Sequence, residues 1–441
     1  MRAALAAVTG RRRWVAIIPG AALLCAIGSC GGDAGPVPDG PDTRILWTFL
    51  ADAEAYYGSP ALSDDGQTVY LGTSTGSLGA PETTNAFYAL SVATGDVRWE
   101  LPLGVNEVRS TPAVGPDGSI TFVAEERTPS GAGVVHDLLY RLSSTGQVLW
   151  TYDINPSGLG VIQVGQSAPA IASDGTVYVA AGGLYAIRPD GTRKWTRFDP
   201  APEDLRNAPV IGADGTLYFV YHNIPLTALD PDDGHTIWSL DLGVNDHVFA
   251  SPAIGADGTI YVVTEPGVVH AVSPGGTRLW TFETASIGYS CTLRSSPAID
   301  ADGSLYFGTN SGSPSSIFLA LNPNGTLKWA FEPADLPPDV PSTHFDIYSS
   351  PAIGSDGTIY FGQEFGRVYA LDPATGALRW MVETQSGITW SSPTLSDAGA
   401  LFITDLSGRT YAIETASRGL KAQAPWPKFR HDNRNSGAMA P

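Results

Sequence analysis

The sequence predicts an all-β protein in which one hairpin-rich unit recurs eight times. Three observations support this fold class. Glycine (50) and proline (34) are abundant among the 441 residues, and only 16% of residues are charged, a composition typical of short strands joined by turns. A proline-centred cluster and a tryptophan alternate along the chain. Long segments with the apolar period of an amphipathic helix do not occur in the sequence.

The first half of each repeat is a short strand that ends in small residues and leads into a hairpin. PAIGADGTIY at 252–261, PAIDADGSLYF at 297–307 and PAIGSDGTIYF at 351–361 show this pattern. Their Asp-Gly pairs supply the positive φ that a tight hairpin requires. The prolines follow one another at the 40–57-residue spacing of a four-stranded blade: Pro60, Pro112, Pro169, Pro209, Pro252, Pro297, Pro351 and Pro393.

The second half of each repeat ends in a tryptophan. ALSVATGDVRW at 89–99, ALDPDDGHTIW at 228–238 and ALDPATGALRW at 370–380 are the longest copies. This motif resembles the tryptophan-docking motif of pyrroloquinoline-quinone-type (PQQ-like) repeats in the quinoprotein alcohol dehydrogenase-like superfamily, over residues 45–421. The resemblance implies a β-propeller whose indoles pack between neighbouring blades. The predicted docking residues are Trp47, Trp99, Trp150, Trp195, Trp238, Trp280, Trp329 and Trp380.

The order of tryptophans and proline clusters gives the size of the ring. Trp47 precedes the first hairpin, and the last hairpin, at 393–405, has no tryptophan after it at the expected spacing. We therefore predict a single eight-bladed β-propeller of four-stranded antiparallel blades over 44–421. The N-terminal strand at 44–50 completes the last blade, and this closure removes the edges that an open array would expose.

The N-terminus resembles a lipoprotein signal peptide over residues 1–29. Arginines at 11–13 precede an apolar run of 13 residues at 14–26, which is too short to span a bilayer. Ile27-Gly28-Ser29-Cys30 resembles a bacterial lipobox, which makes Cys30 the predicted lipidation site; a simply cleaved secretory signal is the alternative. Residues 30–43 are predicted to form a disordered tether, because they contain too little apolar surface to build a core.

Charge limits the classes of partner. The net charge of −19 repels phosphate backbones and anionic lipid heads, which argues against nucleic-acid binding. We expect an exported monomer, anchored in the bacterial cell envelope at the outer membrane or cell surface, that touches the membrane through its lipid only.

One register of the repeat predicts a candidate ligand ring. Three residues before each proline stand Tyr57, Arg109, Gln166, Arg206, Phe249, Arg294, Tyr348 and Trp390. In the family that this chain resembles, the proline-cluster strand is the innermost strand of a blade, so these side chains could surround one mouth of the channel. Arginines beside aromatic faces suit a planar anion, a sugar acid, or an acidic or aromatic peptide. The alternative is that they pack under the connections between blades.

Catalytic and metal sites are not predicted. Asp230, Asp232 and Asp233 lie in a repeat turn, where Asx turns explain them better than calcium does. Quinoprotein dehydrogenases hold PQQ on the propeller axis against a disulfide of adjacent cysteines, with calcium on acidic side chains. This chain has only Cys25, Cys30 and Cys291, and no acid stands in the ring register. PQQ is therefore possible by resemblance but not expected.

The sequence also allows predictions about the C-terminal tail and about the function. Residues 422–441 are expected to dock on or near the propeller; WPKFRHDNRNSG at 426–437 resembles a segment of other exported members of this repeat group. We predict a non-catalytic envelope scaffold that recognises a protein, peptide or small-molecule partner. One alternative is an assembly factor for outer-membrane proteins, a lipoprotein type with the same fold. A PQQ-dependent dehydrogenase is the other alternative.

Overall fold

The structure is a computed structural model in which the regular secondary structure of the described residues is almost entirely β-strand. It describes residues 44–54, 58–74, 85–127, 134–154, 167–180, 183–197, 207–221, 224–243, 248–313, 315–333 and 346–439. These residues contain 35 strands, and their one helical segment is the short 3₁₀ turn Thr284–Ile287. In this part of the chain, no helix has the length and apolar character needed to cross a membrane.

Eight sheets follow one another as blades, each with four strands in sequence order from a short inner strand outwards. Blades 1 to 4 contain β2 (Ala61–Leu62), β3 (Thr68–Gly72), β4 (Asn85–Ser91) and β5 (Val97–Gly104); β7 (Ala113–Val114), β8 (Ile120–Arg127), β9 (Val134–Leu142) and β10 (Val148–Asp153); β11 (Ala170–Ile171), β12 (Val177–Ala180), β13 (Leu184–Ile187) and β14 (Arg193–Arg197); and β15 (Val210–Ile211), β16 (Leu217–Tyr221), β17 (Ile224–Leu229) and β18 (Thr236–Leu240).

Blades 5 to 8 continue the same order, and the last blade takes its outer strand from the N-terminus. They contain β19 (Ala253–Ile254), β20 (Ile260–Thr264), β21 (Val268–Val272) and β22 (Arg278–Glu283); β24 (Ala298–Ile299), β25 (Leu305–Gly308), β27 (Phe318–Leu321) and β28 (Leu327–Phe331); β29 (Ala352–Ile353), β30 (Ile359–Gln363), β31 (Arg367–Leu371) and β32 (Leu378–Glu383); and β33 (Thr394–Leu395), β34 (Ala400–Thr404), β35 (Arg409–Glu414) and β1 (Ile45–Leu50).

Three short strands are added to this plan. The strand β6 (Glu107–Val108) pairs with the extended β8, and β23 (Ser290–Thr292) pairs with β26 (Asn310–Ser313) as a separate two-stranded sheet. Each addition directly precedes or supports an arginine of the predicted ring, as described below.

The Asp-Gly hairpins have the geometry that the sequence predicts. Between β19 and β20, the Gly258 N–H donates to the carbonyl of Gly255 at 2.9 Å, and Gly258 has φ of +80°. The Asp257 carboxylate accepts the Thr259 N–H at 3.0 Å. A type I turn followed by a left-handed glycine is a standard short connection for two antiparallel strands, and it allows each inner strand to be only two residues long.

The core lies between the faces of adjacent blades. Phe87 of blade 1 stacks on Phe122 of blade 2 with ring centroids 4.2 Å apart, and Phe318 of blade 6 stacks on Phe361 of blade 7 at 4.1 Å. All four rings are fully buried. Burial of such large side chains is the main stabilising contribution of sheet-on-sheet packing.

The ring is closed by β1, which confirms the predicted eight-bladed fold and its closure. This strand pairs antiparallel with β35, from Ile45 opposite Ile413 to Leu50 opposite Arg409. On the inner side of the ring, the Ser392 N–H of blade 8 donates to the Ser59 hydroxyl of blade 1 at 2.9 Å. The first and last blades are therefore joined through both their outer and their inner strands.

The C-terminal tail, residues 415–439, crosses one end of the channel and contacts inner strands around the ring. Isolated bridges join Ile299 to Trp426 and Ile211 to Ala438. Backbone N–H groups of seven inner strands donate to the tail: Leu62 and Leu395 to Asn433, Val114 to Arg434, Ile171 to Ser436, Ile211 to Gly437, Ile299 to Trp426 and Ile353 to Pro427. We call residues 426–439 the plug. Its Trp426 is 1% exposed, so the plug is an integral part of the core.

Candidate functional site

Five residues of the predicted ring lie in the described part of the chain. Phe249, Arg294, Tyr348 and Trp390 come together at the end of the channel opposite the plug, and Arg109 is placed differently. Tyr57, Gln166 and Arg206 fall outside the described residues. We call the face that carries the four clustered side chains the collar face.

The four clustered side chains line a cavity that continues down the channel. Its lower wall consists of the residues that precede the prolines: Thr111, Ser251, Ser296, Ser350 and Ser392. Phe429 of the plug also lines it. Because the wall residues come from the inner strands of five blades, this shaft cavity lies in the central channel. The centre of a water molecule can occupy about 50 Å³ of it, and it is partly open to solvent.

Arg294 provides the positive charge of the shaft cavity. Its Nε donates to Glu265 Oε1 at 2.8 Å, Nη2 donates to the same oxygen, and its guanidinium carbon lies 4.7 Å from the centroid of the Phe249 ring. Asn310 of β26 fixes the backbone by accepting the Arg294 N–H at 3.1 Å. The arginine is therefore held in place by an ion pair, an aromatic face and an added strand.

An aromatic pair continues the rim on blades 7 and 8, next to Arg294. The rings of Tyr348 and Trp390 are 4.7 Å apart with an interplanar angle of 42°. The Tyr348 hydroxyl donates to Asp346 Oδ2 at 2.9 Å, and Asp346 also accepts hydrogen bonds from Ser311 and Ser316. Burial, followed by the charge of Asp346, raises the pKa of Tyr348, so this phenol is a neutral donor at pH 7.

Arg109 does not line the shaft cavity with the other ring residues. Its Nε donates to Glu107 at 2.7 Å and lies 3.6 Å from Glu125, and the whole residue is buried. The cause is β6, which carries Glu107 across the strand that bears Glu125. Arg109 is thus held by carboxylates of its own blade and does not lie with Phe249, Arg294, Tyr348 and Trp390 at the cavity.

A chain of hydroxyl contacts links the blades around the lower wall. Each hydroxyl accepts the backbone N–H of the equivalent residue in the preceding blade: Ser59 from Ser392, Thr111 from Ser59, Ser251 from Ala208, Ser296 from Ser251, Ser350 from Ser296 and Ser392 from Ser350. We call these six residues the hydroxyl belt. The repeated small residues before each proline were visible in the sequence, but their partners in neighbouring blades were not.

The tryptophans predicted to dock between blades make one repeated contact. Seven of them lie on the turn glycine of the following blade, where an added Cβ would come within 2.6–2.9 Å of the indole. The same seven indoles donate Nε1–H to a carbonyl of that turn: Trp47, Trp99, Trp150, Trp195, Trp238, Trp280 and Trp329. Trp380 instead faces the guanidinium of Arg44 at 5.1 Å. These contacts are structural and lie away from the channel.

The acidic turn at 230–235 brings potential metal ligands together. Ligand atoms of Asp230, Asp233 and His235 lie within 4.8 Å of one another. The carboxylates already accept backbone N–H groups of the turn, Asp230 from Asp232 at 2.7 Å and Asp233 from His235 at 3.0 Å. These bonds are those of Asx turns, and the turn is exposed.

The shaft cavity does not match the requirements of a quinone cofactor with calcium. Among the described residues, no carboxylate lines it, although hard cations such as calcium need several oxygen ligands, usually including carboxylates. The cysteines at 25, 30 and 291 also cannot form the disulfide of adjacent residues that the superfamily resemblance implies. Cys291 itself is buried, and burial raises the pKa of its thiol.

Comparisons with solved structures agree with the propeller. BamB from Moraxella catarrhalis aligns with a TM-score of 0.61 and 16% identity, over 84% of this chain and 99% of that one. Quinohemoprotein alcohol dehydrogenase from Comamonas testosteroni aligns with a TM-score of 0.63 and 12% identity, over 86% of this chain and 77% of that one. At these identities the likeness shows the fold alone.

Sequence comparisons identify the family. Outer membrane protein assembly factor BamB of Yersinia pestis is 27% identical over 246 residues, which are 53% of this chain and 55% of that protein. The match thus spans about half the length of this curated relative. A family model described as outer membrane protein assembly factor BamB matches residues 39–224, 189–330 and 315–425, which confirms the predicted PQQ-like propeller. Since these segments together cover all eight blades, the chain belongs to the outer membrane protein assembly factor BamB family.

Proposed function

We propose that this chain is a non-catalytic scaffold of the bacterial cell envelope that takes part in the assembly of outer-membrane proteins. The observation that carries the proposal is the family match, which runs over residues 39–425 and therefore over the whole propeller. The proposed role is the one in the name of the related protein of Yersinia pestis, outer membrane protein assembly factor BamB. A rigid scaffold that carries loops is also a common platform for protein recognition.

The collar face is the surface that we propose for the partner. The plug occupies the other end of the channel and satisfies the N–H groups of seven inner strands there. The added strands β6, β23 and β26 enlarge the collar side around Arg109 and Arg294. Long connections on a rigid scaffold carry recognition more often than the scaffold itself.

The proposed location is the periplasmic side of the outer membrane, with Cys30 as the lipidated residue. The signal sequence, Cys30 and the tether lie outside the described residues, so this part of the proposal rests on the lipobox and the family. A lipid anchor would raise the local concentration of the propeller near other membrane-bound assembly proteins without requiring a strong contact.

Deletion of the gene in the native host tests the proposed role. We expect lower steady-state amounts of outer-membrane β-barrel proteins, restored by the wild-type gene on a plasmid. Crosslinking of the tagged wild-type protein in intact cells should capture outer-membrane assembly proteins. The Cys30→Ala variant provides the matched test of anchoring, with the soluble form expected in the periplasm and reduced complementation.

The dehydrogenase alternative is tested on the same protein. Purified protein with added PQQ and calcium should neither gain a bound chromophore nor reduce a dye with alcohols. Unchanged outer-membrane protein levels in the deletion strain would contradict the assembly role. Dye reduction that depends on both additions would replace that role with the enzymatic one.

A further inference from the structure

We infer that the shaft cavity is a binding well for a single carboxylate ligand with a flat apolar body, which enters from the collar face. This inference goes beyond the proposed scaffold role and does not depend on it, because it rests on the lining of the cavity. Three features carry it: the direction of the hydroxyl donors, the donor hydrogens of Arg294 and the aromatic walls.

The well has two levels. The rim residues stand three positions before the repeat prolines, and the hydroxyl residues stand one position before the same prolines. Side chains of both levels line the same cavity, although the chain bends between or at these positions and the inner strand begins only after the proline. A ligand whose acid group reaches the hydroxyl level would therefore have its body between the rim side chains.

The hydroxyls of the lower level are arranged as donors. In Thr111, Ser251, Ser296, Ser350 and Ser392, the oxygen accepts a backbone N–H from the neighbouring blade. A hydroxyl has one hydrogen to donate, and within the described residues none of these five donates to another protein group. They are at most 4% exposed and line the cavity. Their hydrogens are thus available to a ligand in the well.

The donor hydrogens of the well, and not its net charge, favour an anion, because Glu265 already neutralises Arg294. Arg294 binds Glu265 through Nε and Nη2, which leaves the two hydrogens of Nη1 for a further acceptor. A cation in the well would lie beside this guanidinium and would meet hydroxyl oxygens that already accept one hydrogen bond each. A carboxylate would instead receive charge-assisted hydrogen bonds from several convergent donors, which are the strong kind.

Aromatic surfaces determine the shape of the ligand body. Phe249, Tyr348 and Trp390 provide the sides at the rim, and Phe429 of the plug lies on the wall below. Aromatic rings gain most by contact with other flat apolar groups in offset or edge-to-face arrangements. Because Trp426, Pro427 and Asn433 of the plug bind the inner strands at the opposite end, we expect the ligand to enter past the rim.

Titration of the full mature protein with phenylacetate tests the well. We expect saturable one-to-one binding by calorimetry, with phenylacetamide, which is uncharged and of the same shape, binding about tenfold more weakly or worse. Arg294→Gln and Ser350→Ala should each weaken phenylacetate binding by about tenfold. Arg294→Lys should retain part of the affinity, because it keeps the charge.

Ser59→Ala is the matched control. Ser59 belongs to the hydroxyl belt and accepts the Ser392 N–H at 2.9 Å, as Ser350 accepts the Ser296 N–H, but it does not line the cavity. Both variants should lose similar thermal stability, while only Ser350→Ala should lose binding. Equal loss of affinity in the two variants would show that the belt acts through stability alone and would overturn the proposal.

A second binding experiment distinguishes a free acid from an acidic side chain of a protein partner. A capped peptide, acetyl-Phe-Glu-Phe-amide, presents the acid on a chain instead of as a free molecule. Binding of phenylacetate supports a free acid as ligand, and binding of the peptide alone supports a segment of a protein partner at the same well. Failure of both to bind at about 10 mM, or equal binding of phenylacetamide, would refute the well. None of these binding results bears on the proposed role in outer-membrane assembly, which is tested separately with the deletion strain.

Discussion

At the scale of single residues, the fold depends on glycines that allow an indole to lie directly on a turn. Gly325 has φ of +81°, and a Cβ there would come within 2.6 Å of the Trp280 ring. The Trp280 Nε1–H donates to the Pro323 carbonyl of the same turn at 3.0 Å. The glycine is thus required twice, once for its backbone conformation and once for the space above it.

The Gly325→Ala variant should therefore lose more stability than the left-handed backbone conformation alone would cause. We expect a loss of about 2–4 kcal/mol in the free energy of unfolding, because the left-handed backbone and the displaced indole both contribute. Gly66→Ala is the control: Gly66 has φ of +64° and nothing within 4 Å of an added Cβ, so the expected loss is about 1 kcal/mol. Urea unfolding of both variants measures the difference, and equal losses would contradict a role for the indole contact.

The sequence predicted these residues better than it predicted the cavity. The tryptophan and the turn glycine recur within one motif, as in the segment 370–380, so a single chain displays the pattern. Glu265, which holds Arg294, stands where blade 7 has Glu364, but the repeat does not show which residue it contacts. Phe429, which lines the well, lies in the tail and belongs to no repeat register. The two residues reach the site only because β20 ends beside blade 6 and because the tail returns across the channel. Contacts between distant segments have no local signature.

At the scale of elements, the plug is unusual in carrying fully buried cations. Arg430 donates to the carbonyls of Pro209 and Pro169 at 2.8 and 2.9 Å, and Lys428 Nζ donates to Asn435 Oδ1. Asn435 in turn donates to the carbonyls of Pro60 and Pro112. The plug thereby satisfies inner-strand carbonyls of four blades, and its buried charges are offset by hydrogen bonds.

Lys428 should make stability depend on pH. Burial lowers its pKa to about 7 from the ordinary 10.5, against the opposing effect of Asp432. Between these values the unfolded chain binds a proton that the folded protein has released, so stability rises with pH by up to about 1.4 kcal/mol per unit. We expect wild-type stability, measured by urea unfolding from pH 6.5 to 9, to increase more steeply than that of Lys428→Met.

Lys428→Arg provides the control for this titration. An arginine keeps its charge over the whole pH range, so this variant should also lack the additional slope and should be less stable than wild type at pH 9. Parallel stability curves for all three proteins would contradict the titration of Lys428 in this range.

The repeat pattern predicts the hairpins of the blades but not the added strand β6. Hairpins such as 252–261 follow from their own residues, because an apolar run, an Asp-Gly turn and a β-branched strand suffice. The strand β6 pairs with β8 beyond the usual length of that strand, which is extended to Arg127, and nothing in the repeat pattern predicts this extension. Glu107 of this strand pairs with Arg109 at 2.7 Å, a contact that the repeat pattern does not predict.

At the scale of the whole molecule, the ring has one junction that differs from the others. Between blades 7 and 8, Trp380 has no turn glycine to contact, because the chain ends β35 at Glu414 and begins β1 at Ile45 there. Arg44 fills the place: its guanidinium lies over the Trp380 ring at 5.1 Å, and its carbonyl accepts the Glu414 N–H at 2.7 Å. The ring is thus held at this point by non-covalent contacts between the residues of β1 and those of blades 7 and 8.

Removal of β1 should open the ring at blade 8. A chain that begins at Ala51 loses the pairing with β35 and the contacts of Trp47 with Gly95 and Phe402, which we expect to cost on the order of 5 kcal/mol. A chain that begins at Arg44 keeps all of these contacts and serves as the control. Hydrogen exchange should show faster exchange in β35 and its neighbour β34, with the central strands of blades 3 and 4 least affected, because each blade contacts only its neighbours and the plug. Equal protection of β35 in the two chains would mean that the circle closes through the hydroxyl belt and the plug without β1.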